Sequence, residues 1–115
     1  SVTLIEDHTF EGCTALNNVM LSDTITNIGK RAFAECCNLE SIKLPLNLVQ
    51  LEFQALSGCS SLKEIVMPAN LQRIGKLAFS GCIALEKVKL SDSLYSIDYE
   101  AFNGCKSLRS IVLSK

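Results

Sequence analysis

The sequence predicts a repeat solenoid in which five units of equal length stack into a short coil. The prediction depends on columns of similar side chains, which superimpose when the sequence is shifted against itself by twenty-three positions, for example from Phe10 to Phe33. A fixed period of this kind is typical of stacked repeat architectures. The two clearest columns are Phe10, Phe33, Leu56, Phe79, Phe102 and Leu16, Leu39, Leu62, Leu85, Leu108.

The repeats fill the chain in one register, which predicts a single array over residues 1–115. Natural arrays usually end in polar capping units, and none of the five units is atypical in that way. We therefore expect a fragment of a longer array or an engineered piece of one. The alternative is a chain whose open ends contact partners. The units are residues 1–23, 24–46, 47–69, 70–92 and 93–115.

Every unit contains one segment with the side-chain pattern of a β-strand. Each unit contains the pattern L-x-x-I-x-L, in which Val19 and Val88 replace the isoleucine and Met67 replaces the last leucine. This pattern, at a period of roughly 20 to 29 residues, is the signature of leucine-rich repeats. The alternation of a strand turns Ile65 and Met67 inward and leaves Glu64 and Val66 outward. We predict that the strands of neighbouring units pair in a parallel sheet on the concave face.

The return side of each unit is too short for a regular helix. In residues 71–82, LQRIGKLAFSGC, a short L-x-x-I element precedes A-F-x-G-C. We predict a short strand followed by a 3₁₀-like turn, with few or no long helices in the whole chain. Glycine precedes the cysteine in four units, where the chain must bend tightly. Glu35 replaces this glycine in the second unit, so the bend tolerates a side chain there.

Five of the six cysteines belong to the repeat. Stacked, parallel side chains suit the torsion angle of a disulfide poorly, so we expect buried, reduced thiols. The spacing lacks the close pairs of ligands that a zinc site requires, and His8 is the only histidine. We therefore expect no metal and no other cofactor. The column consists of Cys13, Cys36, Cys59, Cys82 and Cys105.

The sixth cysteine, Cys37, lies outside this column and directly follows Cys36. We expect an accessible thiol at this position. Such a thiol could join two chains through a disulfide, or it could be a half-buried residue without a role. No basic partner is evident beside it, so a nucleophilic role has no support.

Composition and charge exclude several classes of function. The chain has 11 Lys and Arg against 12 Asp and Glu, scattered along the sequence, so no basic track is available for nucleic acid. No apolar run approaches the roughly 18 to 20 residues of a membrane helix, so we expect no membrane insertion. The carboxylates form no repeated pair and no glycine-rich phosphate loop occurs. We therefore predict that the protein is not an enzyme.

The repeat resembles the BspA-like leucine-rich repeats, also called the Treponema pallidum type. The resemblance covers the whole chain and is clear in RAFAECCNLESIKLP (31–45), LAFSGCIALEKVKL (77–90) and EAFNGCKSLRSIVL (100–113). It implies a cell-surface or secreted module that binds proteins, for example as part of an adhesin. The third unit departs from the pattern, with Leu56 in place of phenylalanine and Phe53 three positions earlier, so we expect local repacking there.

The candidate binding residues are the outward side chains of the predicted concave sheet. We expect them to contact an unidentified protein, although a solvated sheet whose charges neutralise each other is the simpler interpretation. Self-association through uncapped ends or Cys37 and an intracellular scaffold role remain as alternatives. The candidate residues are Asn18, Met20, Ser41, Lys43, Glu64, Val66, Lys87, Lys89, Ser110 and Val112.

Two aromatic residues, Phe53 and Tyr99, occupy a column that is otherwise charged. The other members of this column are Asp7, Lys30 and Lys76. The two aromatic rings could be displayed on the far side of the coil, or they could serve local packing. The sequence favours packing.

Overall fold

The computed structural model describes residues 2–98 and 100–113, and these form a parallel-strand solenoid of about five turns. Each turn contributes two short strands, one on each side of the coil, and no helix occurs within the described ranges. The predicted solenoid is therefore confirmed. Tyr99 lies outside the described residues, so the prediction for its ring stays open.

The return sides of the five units form one continuous parallel sheet of two-residue strands. Every strand pairs with the equivalent residues of the next unit, for example Ile5 with Ile28 and Ile28 with Leu51. The short strand predicted for the return side is thus confirmed in all five units. In order across the sheet, the strands are β1 (Leu4–Ile5), β3 (Asn27–Ile28), β5 (Gln50–Leu51), β7 (Arg73–Ile74) and β9 (Ser96–Ile97).

The strands on the opposite side carry the L-x-x-I-x-L pattern, and they pair in parallel as predicted. Their hydrogen-bond ladder is not continuous, however. Strands β2 and β4 form one sheet and β6, β8 and β10 form another, so the ladder is interrupted between the second and third units. The strands are β2 (Asn18–Met20), β4 (Ser41–Lys43), β6 (Glu64–Val66), β8 (Lys87–Leu90) and β10 (Ser110–Leu113).

The aromatic column is interrupted in the same region of the coil. Phe10 stacks on Phe33 with ring centroids 5.2 Å apart, and Phe79 stacks on Phe102 at 5.3 Å. Leu56 lies between these two pairs and is fully buried. The third unit therefore keeps the packing of the core but separates the ring stack into two halves, in agreement with the repacking predicted there.

The core is a stack of inward side chains between the two sets of strands. The phenylalanine and leucine columns are fully buried in the second, third and fourth units, whereas Phe10 and Phe102 in the terminal units are only partly buried. Ile111 of the last unit remains 51 % exposed. Within the described residues, the first and last layers each contact one neighbouring layer, which gives them less buried area.

Each cysteine of the column after the first donates a hydrogen bond from its thiol to a backbone carbonyl of the preceding unit. The acceptor belongs to the residue of the aromatic column, so the bond joins the bends of two neighbouring units. Cys59, for example, reaches the carbonyl of Phe33 at 3.1 Å. Cysteine is small enough to fit inside the bend and still supplies a donor. The other bonds run from Cys36 to Phe10, from Cys82 to Leu56 and from Cys105 to Phe79.

The bends contain backbone hydrogen bonds between residues three apart, as a 3₁₀-like turn requires. They alternate with bonds to the next layer: the amide of Ala34 donates to the carbonyl of Arg31, and that of Phe33 donates to Ala55. Two residues per bend have positive φ, for example Arg31 at 53° and Glu35 at 61°. This conformation breaks a regular 3₁₀ helix, so the return side is a series of tight turns.

Glu35 adopts the left-handed conformation that glycine adopts at the equivalent position of the other units, where φ is between 74° and 77°. We expect Glu35→Gly to raise the free energy of unfolding by about 0.5 to 1 kcal/mol. The left-handed region costs other residues about 1 to 2 kcal/mol, and the flexibility of glycine in the unfolded chain offsets part of the gain. Urea denaturation followed by circular dichroism measures the change.

The matched control is Gly81→Ala, which introduces the same backbone strain in the fourth unit. Its new Cβ would lie 3.7 Å from Gly58, an ordinary contact, so only the conformation is penalised and stability should fall by about 1 kcal/mol. The carboxylate of Glu35 lies over Gly58. A loss of stability in Glu35→Gly would show that this contact outweighs the strain.

The buried thiols make stability depend on alkaline pH. Burial raises the pKa of Cys59 strongly, and it raises the pKa of Cys82 to about 12, from an ordinary value of 9.0. Above pH 9 the unfolded thiols ionise while the folded ones stay protonated, so stability is complete below pH 9 and falls as pH rises toward 12. By pH 10 each thiol should contribute a loss of about 1 kcal/mol.

Urea denaturation at pH 8 and pH 10 tests this dependence, with the Cys59→Ala, Cys82→Ala double variant as control. Other groups titrate in the same range, so the result is the difference between the two proteins in the free energy of unfolding lost from pH 8 to pH 10. The control should lose about 2 kcal/mol less than the unchanged chain between these pH values. Equal losses would contradict the buried, protonated state of these thiols.

Candidate functional site

The outward side chains of β2, β4, β6, β8 and β10 form two columns, which together we call the candidate face. Strand register aligns each column within the first two units and within the last three: Asn18 lies beside Ser41, Met20 beside Lys43, and Val66 beside Lys89. Strands β4 and β6 are neighbours without a ladder between them. Column A is Asn18, Ser41, Glu64, Lys87 and Ser110, and column B is Met20, Lys43, Val66, Lys89 and Val112.

Nine of these ten side chains are exposed and Ser110 is half-buried, whereas the residue between the two columns points into the core. In column B, Met20 is 81 % exposed, Val66 49 % and Val112 50 %. The alternation predicted from the sequence therefore places all ten residues on one side of the coil.

The candidate face carries three lysines and one glutamate. None of these four charged side chains has an ion pair within the described part of the chain. The whole chain carries a formal net charge of −1, so this face is more positive than the rest of the surface. Lysines without a local partner leave their charge available to an acidic ligand.

A flanking column precedes column A along the strands, and its charges alternate in sign. The sequence predicts mutual neutralisation of these charges, but within the described residues Arg109 and Glu86 are the only members of this column that form an ion pair. Their nitrogen and oxygen atoms are 4.0 Å apart and the side chains are 77 % and 46 % exposed. A pair of this kind contributes little. The flanking column is Asn17, Glu40, Lys63, Glu86 and Arg109.

Side-chain hydrogen bonds connect the first two members of column A with each other and with the flanking column. The hydroxyl of Ser41 donates to the side-chain oxygen of Asn18 at 2.5 Å, and the Asn18 amide nitrogen approaches the side-chain oxygen of Asn17 at 3.4 Å. These contacts fix the orientation of the two asparagines. The members of the face from Glu64 to Val112 have no comparable network of side-chain hydrogen bonds among the described residues.

Next to the candidate face, a polar cavity of about 500 Å³ opens where the hydrogen-bond ladder is interrupted. Side chains of the second and third units supply most of its wall. The sequence did not predict this cavity, because the departure of the third unit from the repeat indicates only a change in packing. Its lining residues are Asn18, Glu40, Ser41, Ser60, Ser61, Lys63 and Ala84.

A second polar cavity, of about 350 Å³, lies over Gly75 on the opposite sheet. A Cβ at Gly75 would meet the backbone of Leu51 and Glu52 at 2.8 Å, so glycine allows the two neighbouring layers to approach closely at this point. Phe53 contributes to the wall and is 38 % exposed. The aromatic ring is therefore partly displayed on the far side, whereas the sequence favours packing.

The family model for the BspA-type leucine-rich repeat region matches residues 1–113, in six copies. The chain belongs to this family. The resemblance seen in the A-F-x-x-C and L-x-x-I-x-L segments is thus confirmed. Proteins with BspA-type repeats are generally protein-interaction or surface proteins, and their fold is typically non-catalytic.

Three solved structures have nearly the same fold as this BspA-type chain. A leucine-rich cell surface protein from Faecalibacterium prausnitzii A2-165 has a TM-score of 0.95 at 34 % identity and is matched over 99 % of this chain and 30 % of its own. The leucine-rich repeat protein of T. pallidum has a TM-score of 0.94 at 37 % identity, and the match covers 96 % of this chain and 51 % of that protein. A leucine-rich repeat protein from Bacteroides ovatus has a TM-score of 0.91 at 33 % identity, and the match covers 98 % of this chain and 29 % of that protein.

The BspA-type chain therefore spans between 29 % and 51 % of the length of these three proteins. No curated protein sequence matches it at a significant level. The similarity identifies the family and the fold, and it leaves the ligand of this chain to be inferred from its own surface.

Cys37 is half-buried in the BspA-type chain, so it is less accessible than the sequence predicts. Its backbone carbonyl accepts a hydrogen bond from the hydroxyl of Ser61 at 2.7 Å, which holds this segment against the next unit. The column thiols of Cys36, Cys59 and Cys82 are buried, as expected, and all six cysteines are free thiols.

The remaining chemistry of the surface is modest. Within the described ranges, no group of three or more His, Cys, Asp or Glu side chains is placed to hold a metal ion. His8 and Arg31 contact Glu11, and their hydrogen bonds lower the pKa of this exposed carboxyl. The same residues include no helix long and apolar enough to cross a membrane.

Proposed function

We propose that this BspA-type chain is a non-catalytic module that binds another protein through the candidate face. The observation that carries the proposal is the register of columns A and B, which presents ten aligned side chains on a scaffold fixed by stacked backbone. A preorganised surface loses little conformational entropy on binding. The lysines without ion pairs add a source of charge complementarity.

We further propose that the chain is part of a cell-surface adhesin. The support is the family and the similar structure from Faecalibacterium prausnitzii, which is described as a leucine-rich cell surface protein. A face that recognises proteins on other cells would be useful in such a setting. This second proposal concerns the location of the module, and it can fail while the first one stands.

An array of extracellular and surface proteins tests the binding function, with the unchanged chain and a triple variant of column B as probes. The variant is Lys43→Ser, Val66→Ser, Lys89→Ser. We expect the unchanged chain to bind a discrete set of proteins and the variant to lose at least tenfold in affinity, because a few central residues usually carry most of the binding energy.

The control is Gln50→Ser, Arg73→Ser on the opposite sheet, where the side chains are also at the surface. This variant should retain the affinity of the unchanged chain within about twofold. Equal losses in both variants would show that the contact is not specific to the candidate face. The absence of any ligand, with circular dichroism showing folded protein, would contradict the binding function.

Self-association is the second candidate function: copies of the chain would stack end to end through their terminal layers, or Cys37, whose side chain is half-buried, would join them. If copies stack through these layers, light scattering at several concentrations will show a mass that rises with concentration and is insensitive to reductant. If Cys37 joins them, reductant or Cys37→Ser will restore the monomer. A monomer under all conditions would exclude both forms of assembly.

A further inference from the structure

We propose that column B binds an acidic amphipathic helix of another protein, lying across the strands along the axis of the coil. The inference rests on the proposed binding function and specifies the chemistry of the partner. Column B alternates apolar and cationic side chains through five layers and contains no carboxylate. Its members in order are Met20, Lys43, Val66, Lys89 and Val112.

The charges of column B point to an acidic partner. Lys43 and Lys89 have no ion pair within the described residues. Lys87 lies two residues from Lys89 on β8, on the same side of the sheet, so the fourth layer presents two ammonium groups. An acidic side chain above this layer would meet the highest positive charge on the face.

The apolar members need a partner with apolar side chains at matching positions. Met20, Val66 and Val112 are each about half exposed or more. They occupy the first, third and fifth layers, so a ligand that covers them must place an apolar side chain over every second layer. The partner therefore alternates apolar and acidic contacts along one line.

The spacing of this line fits a helix better than an extended chain. Parallel strands that pair lie about 4.8 Å apart, close to the roughly 5.4 Å pitch of an α-helix, so each helical turn can lie over one layer on either side of the interruption between β4 and β6. An extended segment repeats its side chains on one face only every ~6.6 Å, which is a poorer match. Over five layers the helix drifts by roughly 2 to 3 Å, which flexible lysine side chains can follow.

This match predicts the sequence pattern of the partner. Apolar residues should occur at i, i+7 and i+14 and acidic residues at i+4 and i+11, which a helix places along one face. Glu64 lies beside Val66 on the third layer and would repel an acidic residue there. The register is thereby restricted, with acids over the second and fourth layers and an apolar residue between them.

The test uses three synthetic peptides that differ only at these five positions, each long enough for about five helical turns, or roughly 18 residues. The first has leucine at i, i+7 and i+14 and glutamate at i+4 and i+11. The second has lysine in place of both glutamates, and the third has serine in place of the three leucines. We expect the first peptide to bind at least tenfold more tightly than either of the others, as measured by isothermal titration calorimetry.

A charge exchange locates the contact. Lys89→Glu should weaken the first peptide by at least tenfold, and lysine at i+11 of the peptide should restore most of that affinity. The control is Arg73→Glu, which makes the same change of charge on the opposite sheet and should alter affinity by less than twofold. Circular dichroism checks that both variants are folded.

Several results would overturn the inference. Binding of the third peptide or of an acidic polysaccharide as tightly as the first peptide would leave only a general attraction to negative charge. A loss in Arg73→Glu equal to that in Lys89→Glu would have the same meaning. If none of the peptides binds while a protein on the array binds and loses affinity in the column B variant, the helix is wrong and the binding function stands. If proteins on the array bind the column B variant as tightly as they bind the unchanged chain, and no peptide binds, both proposals fail.

Discussion

Stacking of each unit on the next is the constraint on which the rest of this structure depends. One unit buries its inward side chains only when neighbouring units cover them, because the strands within a turn are two to four residues long and do not pair with each other. Backbone bonds reinforce this contact at every layer, for example from the amide of Phe33 to the carbonyl of Ala55 at 2.8 Å. Stability is therefore a sum of interfaces along one axis.

The bends show how stacking determines residue choice. A tight turn at the end of the return side leaves backbone carbonyls inside the coil, where an unpaired acceptor would be costly. Each such carbonyl accepts the amide of the cysteine in its own unit and, across the interface, the thiol of the next cysteine, while glycine allows the left-handed backbone of the bend. Glu35 shows that the layer can hold a less favourable residue when both neighbours fix its conformation.

The same constraint gives the surface its properties. Within each of the two sheets on this side, strand register brings outward side chains into line with their equivalents, so residues one repeat apart in the sequence become neighbours on the candidate face. The lysines and apolar residues of column B form a pattern only in this arrangement. At the third unit, a polar cavity lies beside the face in the region where the ladder is interrupted.

The sequence by itself determined the period, the inward columns and the position of both strands, because a strand alternates its side chains every two residues and stacking demands equivalent residues at each layer. It also identified the ten candidate residues by the same alternation. Only the tertiary structure decided where the ladder is interrupted and that residues such as Leu77 adopt a left-handed conformation, with φ at 60°. It also decided that the lysines of the face lack ion pairs within the described ranges. Ion pairing depends on how side chains from different layers are oriented, and a linear sequence pattern does not contain that orientation.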